Sequence, residues 1–307
     1  MSFGMTILKL LNLKLGVNMV KVYKLADKII NINSELEIDD SAESELFKSE
    51  NKHESIDVIY KIKNKKLDTN NYKNMIHSVL DLDIYKNNKG TLWDFKYSYN
   101  KKHCYLVENR NGVRELFISN EMKVGFPTTT QIFANLNIQK ALLEKLVLIL
   151  HSSFIIHKSK SILFTAPSGI GKSTQADLWE KYKGAEIING DKSAIGTRDN
   201  EYFAYGLPFS GTSNICKNRE APIKAIVALE QSKDNNVRKL SKIEAFKILL
   251  SQVAINRWNK DDINLAMDLI EKLIEEVPVL LLSCRADEDA TDVLNQYIEA
   301  LDSEVNL

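Results

Sequence analysis

The chain has little of what would place it at a glance. Its 307 residues include only three cysteines, Cys104, Cys216 and Cys284, widely spaced and with no C-x-x-C pair. An odd, scattered set excludes a disulfide framework and makes a reducing cytoplasm the expected compartment. There is no net charge, since Lys plus Arg and Asp plus Glu both total 41. No global field therefore draws the chain to nucleic acid or to an anionic membrane. No basic stretch interleaved with aromatics argues for nucleic-acid binding either. Trp93, Trp179, Trp258, Tyr202 and Tyr205 read as core or groove residues. No apolar run reaches the roughly 18 residues of a membrane span, so neither nucleic acid nor membrane is an expected partner. The five histidines offer no metal-spaced pair in the second half beyond His151 and His157. That argues against chemistry requiring a second, transition-metal site.

What is present is ordinary for a globular chain: 44% hydrophobic and 27% charged residues, with length for one large domain or two modest ones. The first residues, apolar with scattered lysines, read as a strand, a short amphipathic helix or an upstream extension, Met19 being a second candidate start. Residues 34–56 are acidic and Ser-rich and read as an exposed loop. Short β-like runs follow at Val58–Ile62, Thr91–Tyr97, His103–Val107 and Glu115–Ile118, with a hairpin expected around Asn109–Gly112. Residues 1–125 are therefore expected to form a small β-rich domain, α+β at most, of unassigned role.

After Pro127 the pattern becomes α/β. Ile138–Leu150 has helical apolar spacing, Ser161–Ala166 reads as a short buried strand, and Lys172–Lys183 as a helix. Glu186–Asn189, Ser193–Thr197, Tyr202–Gly206 and Ile223–Leu229 read as strands, with a loop over Leu207–Pro222. Helices are expected at Lys242–Asn256, Asp261–Glu276 and Glu288–Leu301, and a strand at Val277–Ser283. The expected fold class is α/β, with residues 126–307 as its main domain and polar motifs at strand ends, where such folds bind ligands.

One of those motifs carries chemistry. Ala166-Pro-Ser168-Gly169-Ile170-Gly171-Lys172-Ser173-Thr174 lies between an expected strand and an expected helix. It matches the phosphate-loop pattern except that Ala166 stands at the first glycine, a position that needs a small residue more than a flexible one. Gly169 and Gly171 let successive backbone N–H groups turn toward phosphate oxygens. The helix start adds its positive dipole end. Lys172 supplies a mobile charge for β- and γ-phosphates, and the Ser173 hydroxyl a ligand for Mg2+. Binding of a nucleoside triphosphate, ATP or GTP, follows. Such chemistry also needs a carboxylate at a second strand end to hold the metal or orient the nucleophile. Asp191, just past Glu186–Asn189, is the candidate. Taken from spacing alone, His151 and His157 are more readily structural than functional.

The block from His151 to Glu230 resembles the HPr kinase/phosphorylase family, whose fold is related to phosphoenolpyruvate carboxykinase. The resemblance rests on Ser168-Gly-Ile-Gly-Lys-Ser173, Asp191, Gly206-Leu-Pro-Phe-Ser-Gly211, and Arg219 ahead of Ile223–Glu230. In that family a histidine upstream of the phosphate loop partners the catalytic aspartate, which implies His151 beside Asp191. The family usually has two adjacent aspartates where this chain has Gly190-Asp191, and an acidic residue where it has Thr174. Leu150-His-Ser-Ser, Lys172-Ser-Thr-Gln-Ala-Asp-Leu-Trp179 and Ala204–Gly211 look like a stand-alone subgroup. Its members sit beside genes for ribosomal-peptide maturation, and some phosphorylate a serine of a precursor peptide, as in lasso-peptide tailoring.

The resemblance thus implies a kinase using ATP or GTP with Mg2+, held by Ser173 and Asp191, on a peptide or protein acceptor. Asp191 would accept the hydroxyl proton, with His151 orienting it. Arg219, with Lys217 beside it, would neutralise charge on the moving phosphoryl group, and Ser210-Gly211 would form a loop facing the phosphates. Competing readings are a non-catalytic nucleotide switch or scaffold, and a kinase or NTPase acting on a small molecule. A homo-oligomer stays open, with no interface residue to place it.

Overall fold

The computed structural model describes residues 19–50, 55–97, 102–110, 112–119 and 132–304. The chain divides into two compact units, one running to Ile138 and the other from Gln139 onward, with Leu25–Asp27 belonging to the second. The boundary expected at 125/126 lies outside the described residues.

The first unit is built on one eight-stranded sheet in the order β1-β2-β3-β8-β7-β6-β5-β4. Its strands are β1 (Met19–Leu25), β2 (Lys28–Ser34), β3 (Val58–Lys63), β4 (Asn74–Val79), β5 (Leu82–Lys86), β6 (Gly90–Tyr97), β7 (Lys102–Asn109) and β8 (Arg114–Phe117). β3 runs parallel to both β2 and β8, and the remainder up to β4 is antiparallel. The hairpin forms as expected, with Val107 opposite Glu115 and Gly112 at φ +80. Residues 34–56 differ from the exposed loop the composition suggests. Ser41 and Ser44 form a capping box on a one-turn helix, α1 (Ala42–Glu45), and Leu36, Ile38 and Phe47 are buried. A few well-spaced apolar anchors suffice to tie down a segment that is acidic on average. β4 escapes a pattern reading because it is exposed along nearly its whole length and shows no alternation.

In the second unit, α2 (Ile138–Leu143) stops early. Leu146 takes a left-handed conformation and the chain enters β9 (Leu148–His157). The helix expected through Leu150 thus ends at Leu143, and its last three residues, Leu148–Leu150, are strand. Val147–Leu150 is buried without a break, and a strand covered on both faces cannot be told from a buried helix by periodicity. β10 (Lys160–Thr165), α3 (Lys172–Lys183), β11 (Glu186–Asn189), β12 (Lys192–Arg198), β13 (Glu201–Tyr205) and β14 (Glu220–Gln231) follow. β15 (Asn236–Lys239), α4 (Lys242–Gln252), α5 (Lys260–Glu276), β16 (Val279–Cys284) and α6 (Glu288–Glu304) complete the unit.

Pairing of β10 with β14 closes the path β10-β9-β12-β13-β14 into a ring, while β16 and β15 extend it and β11 flanks β9. The strands alternate their side chains between two layers. Leu163, Ile226, Ala228 and Val279 pack with Leu249, Ala266, Ile270 and Leu273 of α4 and α5. Ile162, Phe164, Val227 and Leu280 pack with Ala176, Trp179, Leu294 and Ile298 of α3 and α6. The unit is therefore α/β, with its central parallel strands covered on both faces.

Candidate active site

β10 delivers the chain into the phosphate loop, and α3 begins at Lys172. Gly169 and Gly171 sit at φ +83 and +124, in open space. Both lie in the left-handed region where side chains are disfavoured. No side chain caps α3 at Gly171, so the free N–H groups of its first turn face outward as an anion site. Ser168, Ser173 and Thr174 are exposed, and Ile170 is half-buried. Lys172 is buried, and its Nζ donates to the Ala166 and Pro167 carbonyls at 2.9 and 3.4 Å. Burial pushes its ammonium below the ordinary lysine range, with Asp191 acting in the opposite direction. A half-satisfied cation folded over an uncapped helix start suits phosphate oxygens.

The strand registers bring the other groups to the same edge. Thr165, the last residue of β10, lies opposite Ser152 of β9, and Lys192 of β12 lies opposite His151. Thr165 Oγ1 donates to the His151 carbonyl at 2.9 Å, and the Ser152 N–H donates to the Asp191 carbonyl at 3.0 Å. His151 Nε2 and Asp191 Oδ1 are 3.5 Å apart, both side chains partly exposed. Burial lowers the His151 pKa, as does Lys172, while Asp191 and a hydrogen bond with Gln252 raise it. The imidazole is therefore biased toward its neutral form beside a carboxylate.

The turn carrying Asp191 is held by a residue that sequence reading passed over as a strand end. Asn189 is fully buried, and its Oδ1 accepts the backbone N–H groups of Asp191 and Lys192 at 2.9 and 3.0 Å. Its Nδ2 donates to the Leu207 and Phe209 carbonyls at 3.0 and 2.9 Å. One amide thus ties the Asp191 turn to the Gly206–Gly211 loop. Gly211, at φ +56, is packed so closely that an added Cβ would stand 2.7 Å from Asp191 Cβ. Gly190 is equally confined, since a Cβ there would meet Ser213 Oγ at 2.2 Å. A side chain at position 190 would have to displace Ser213. Gln252, at the end of α4, was also missed, because no motif marks a residue that reaches the site from a distant helix.

Arg219 and Lys217 are placed elsewhere. Both contact Glu186, at 3.2 and 3.1 Å, and Glu186 begins β11 while Asp191 follows its other end. β14 starts just after Arg219 and runs parallel to β10, with Ser161 opposite Ile223 and Thr165 opposite Ala228. Arg219 therefore lies, with Glu186, near the Ser161 level of β10, about 13 Å along the strand from Thr165 and the phosphate loop. His157 packs edge-on against Trp179 and takes no part in the site.

No acidic or metal-ligating cluster of three or more His, Cys, Asp or Glu side chains occurs among the described residues. A cation here would be held by Ser173 and Asp191 together with the ligand's own oxygens, as Mg2+ on nucleotide phosphates is.

No protein-family pattern and no curated protein matches the chain. Among solved structures, it is similar to that of the Hpr(Ser) kinase/phosphatase from Coxiella burnetii. The identity is 12% and the TM-score 0.30, over 52% of this chain and 96% of that one.

Proposed function

We propose that the second unit is an ATP-dependent phosphotransferase that moves the γ-phosphoryl group to a hydroxyl, a serine of a peptide or protein. The observation that carries this reading is the convergence of an uncapped phosphate loop, Asp191 and His151 at one strand edge. A protein that only binds nucleotide needs the loop; it has no use for a carboxylate–imidazole pair facing it. The resemblance of Leu150-His-Ser-Ser and Lys172–Trp179 to a peptide-phosphorylating subgroup supports a ribosomally made precursor peptide as acceptor.

The α3 first-turn N–H groups and Lys172 hold the phosphate tail, and Lys172 follows charge onto the β- and γ-oxygens. Ser173 and Asp191 would hold Mg2+, which would supply charge neutralisation on the phosphates. Asp191 accepts the acceptor's hydroxyl proton as a new P–O bond forms and the bond to the β-phosphate breaks, releasing ADP. His151, beside it, fixes the carboxylate's orientation. Position and preorganised charge carry most of the acceleration in such transfers.

The test is transfer of label from γ-32P-ATP with Mg2+ to serine peptides and to a host-cell extract. Wild type should label a peptide or protein, and Lys172→Ala should not. Asp191→Asn should lose transfer while keeping its ATP affinity within a few-fold. ATP binding with no transfer to any acceptor would favour a nucleotide switch, and released phosphate alone an NTPase.

A further inference from the structure

Beside the phosphate loop, on its β14 and β16 side, lies an open cleft of about 350 Å3. It is walled by Gly169–Gly171 and Thr174, by Gln175 of α3, by Leu229–Ser232 at the end of β14, and by Cys284–Ala286 after β16. Its volume is at the lower end of the roughly 300–1,000 Å3 of small-molecule sites. Because Gly169, Gly171 and Thr174 belong to both, cleft and phosphate loop form one continuous groove. Asp191 is on the other flank, beyond β9 and β11. A ligand whose phosphate tail ends near Asp191 must lay the rest of itself toward this cleft.

Gln175 gives the cleft a chemistry of its own. The residue is only 3% exposed, and its amide nitrogen contacts Cys284 Sγ at 3.3 Å. Its carbonyl oxygen Oε1 is buried with no hydrogen-bond partner. An unpaired buried carbonyl is destabilising, and an apolar residue would fill the same space without that penalty. The last torsion of a glutamine is soft, so the amide can turn toward the cleft and lose no bond from Oε1 in doing so.

We propose that this cleft is the nucleoside half of the nucleotide site and that Gln175 is its specificity-determining residue. The Gln175 amide hydrogen-bonds the base or ribose, so that the protein distinguishes a nucleoside triphosphate from a bare polyphosphate. Cys284, in contact with Gln175, becomes covered when the nucleoside is seated. The inference rests on the phosphate loop binding triphosphates, as proposed above, and adds what is attached to the phosphates.

Calorimetric titration of Mg-ATP and Mg-tripolyphosphate into wild type and Gln175→Leu separates the two halves. Leucine keeps the buried volume, and unchanged thermal unfolding would show an intact fold. The expected result is a loss of ATP affinity of about tenfold, the scale of one hydrogen bond, with tripolyphosphate affinity unchanged within about twofold. In wild type, ATP should slow iodoacetamide alkylation of Cys284 at about pH 8.5, read by peptide mass mapping, and tripolyphosphate should not. Equal weakening of both ligands, no weakening of either, or a Cys284 rate indifferent to ATP would overturn the nucleoside assignment. Failure of wild type to bind either ligand would overturn the phosphate-loop reading itself.

Discussion

Gly211→Ala tests how the site holds its aspartate, and Gly184 supplies a matched control. Both glycines are left-handed, at φ +56 and +63, so alanine at either costs about 1–2 kcal/mol of backbone strain. In a unit of this size that lowers the melting temperature by about 2–8 °C. The two differ in what a Cβ would meet. At Gly184, the C-cap of α3, nothing lies within 4 Å. At Gly211 the Cβ would stand 2.7 Å from Asp191 Cβ and 2.8 Å from its Cγ. Carbon atoms rest about 3.5–4.0 Å apart, so Asp191 must shift by about 1 Å, and a misplacement of that size costs about 10²-fold in rate. Melting curves and γ-32P transfer should therefore dissociate, with both variants less stable and only Gly211→Ala inactive at full ATP occupancy. A Gly211→Ala protein with wild-type transfer, or a Gly184→Ala protein equally impaired, would refute the claim that loop packing positions Asp191.

Two further outcomes follow from the same geometry. Arg219→Ala should leave transfer within about twofold of wild type and cost less than about 1 kcal/mol, since its pair with Glu186 is solvent-exposed. A tenfold or greater fall in transfer, measured with the same label, would put Arg219 at the phosphates after all. Glu244 is held down at about 2 by Arg238 and by the Ser241 cap of α4. Because its folded pKa lies below its unfolded value of 4.5, its contribution is present above about pH 4.5 and fades as pH falls toward 2. Glu244→Gln should flatten the acid limb of stability, read by urea unfolding across that window, and an unchanged limb would show that the cap contributes nothing there.

The parts of this protein that local chemistry dictates were readable without coordinates. Lys172–Lys183 and Glu186–Asn189 have the observed bounds, because a glycine-rich turn, a lysine-rich last turn and Gly184 mark their ends. The phosphate loop was legible for the same reason: its conformation needs glycines at fixed spacing. His151 and Asp191 could be paired only through likeness to other chains, and composition left His151 at the end of a helix. What composition could not weigh was burial on both faces of Val147–Leu150, which turns a helical-looking run into β9 and places His151 on a strand.

Arg219 shows the limit from the other side. Likeness to other chains suggests a phosphate contact, yet Arg219 pairs with Glu186 near the Ser161 level of β10, about four residues from the loop. Asn189, Gln175 and Gln252 carry no sequence signature, since each acts through partners distant along the chain. By itself the sequence determined the loop's backbone, its lysine and the candidate carboxylate, because those depend on neighbours within one turn. Only the tertiary structure decided which strand ends meet, which cation is turned away and which amide stands beside the cleft, because strand register and packing set those distances.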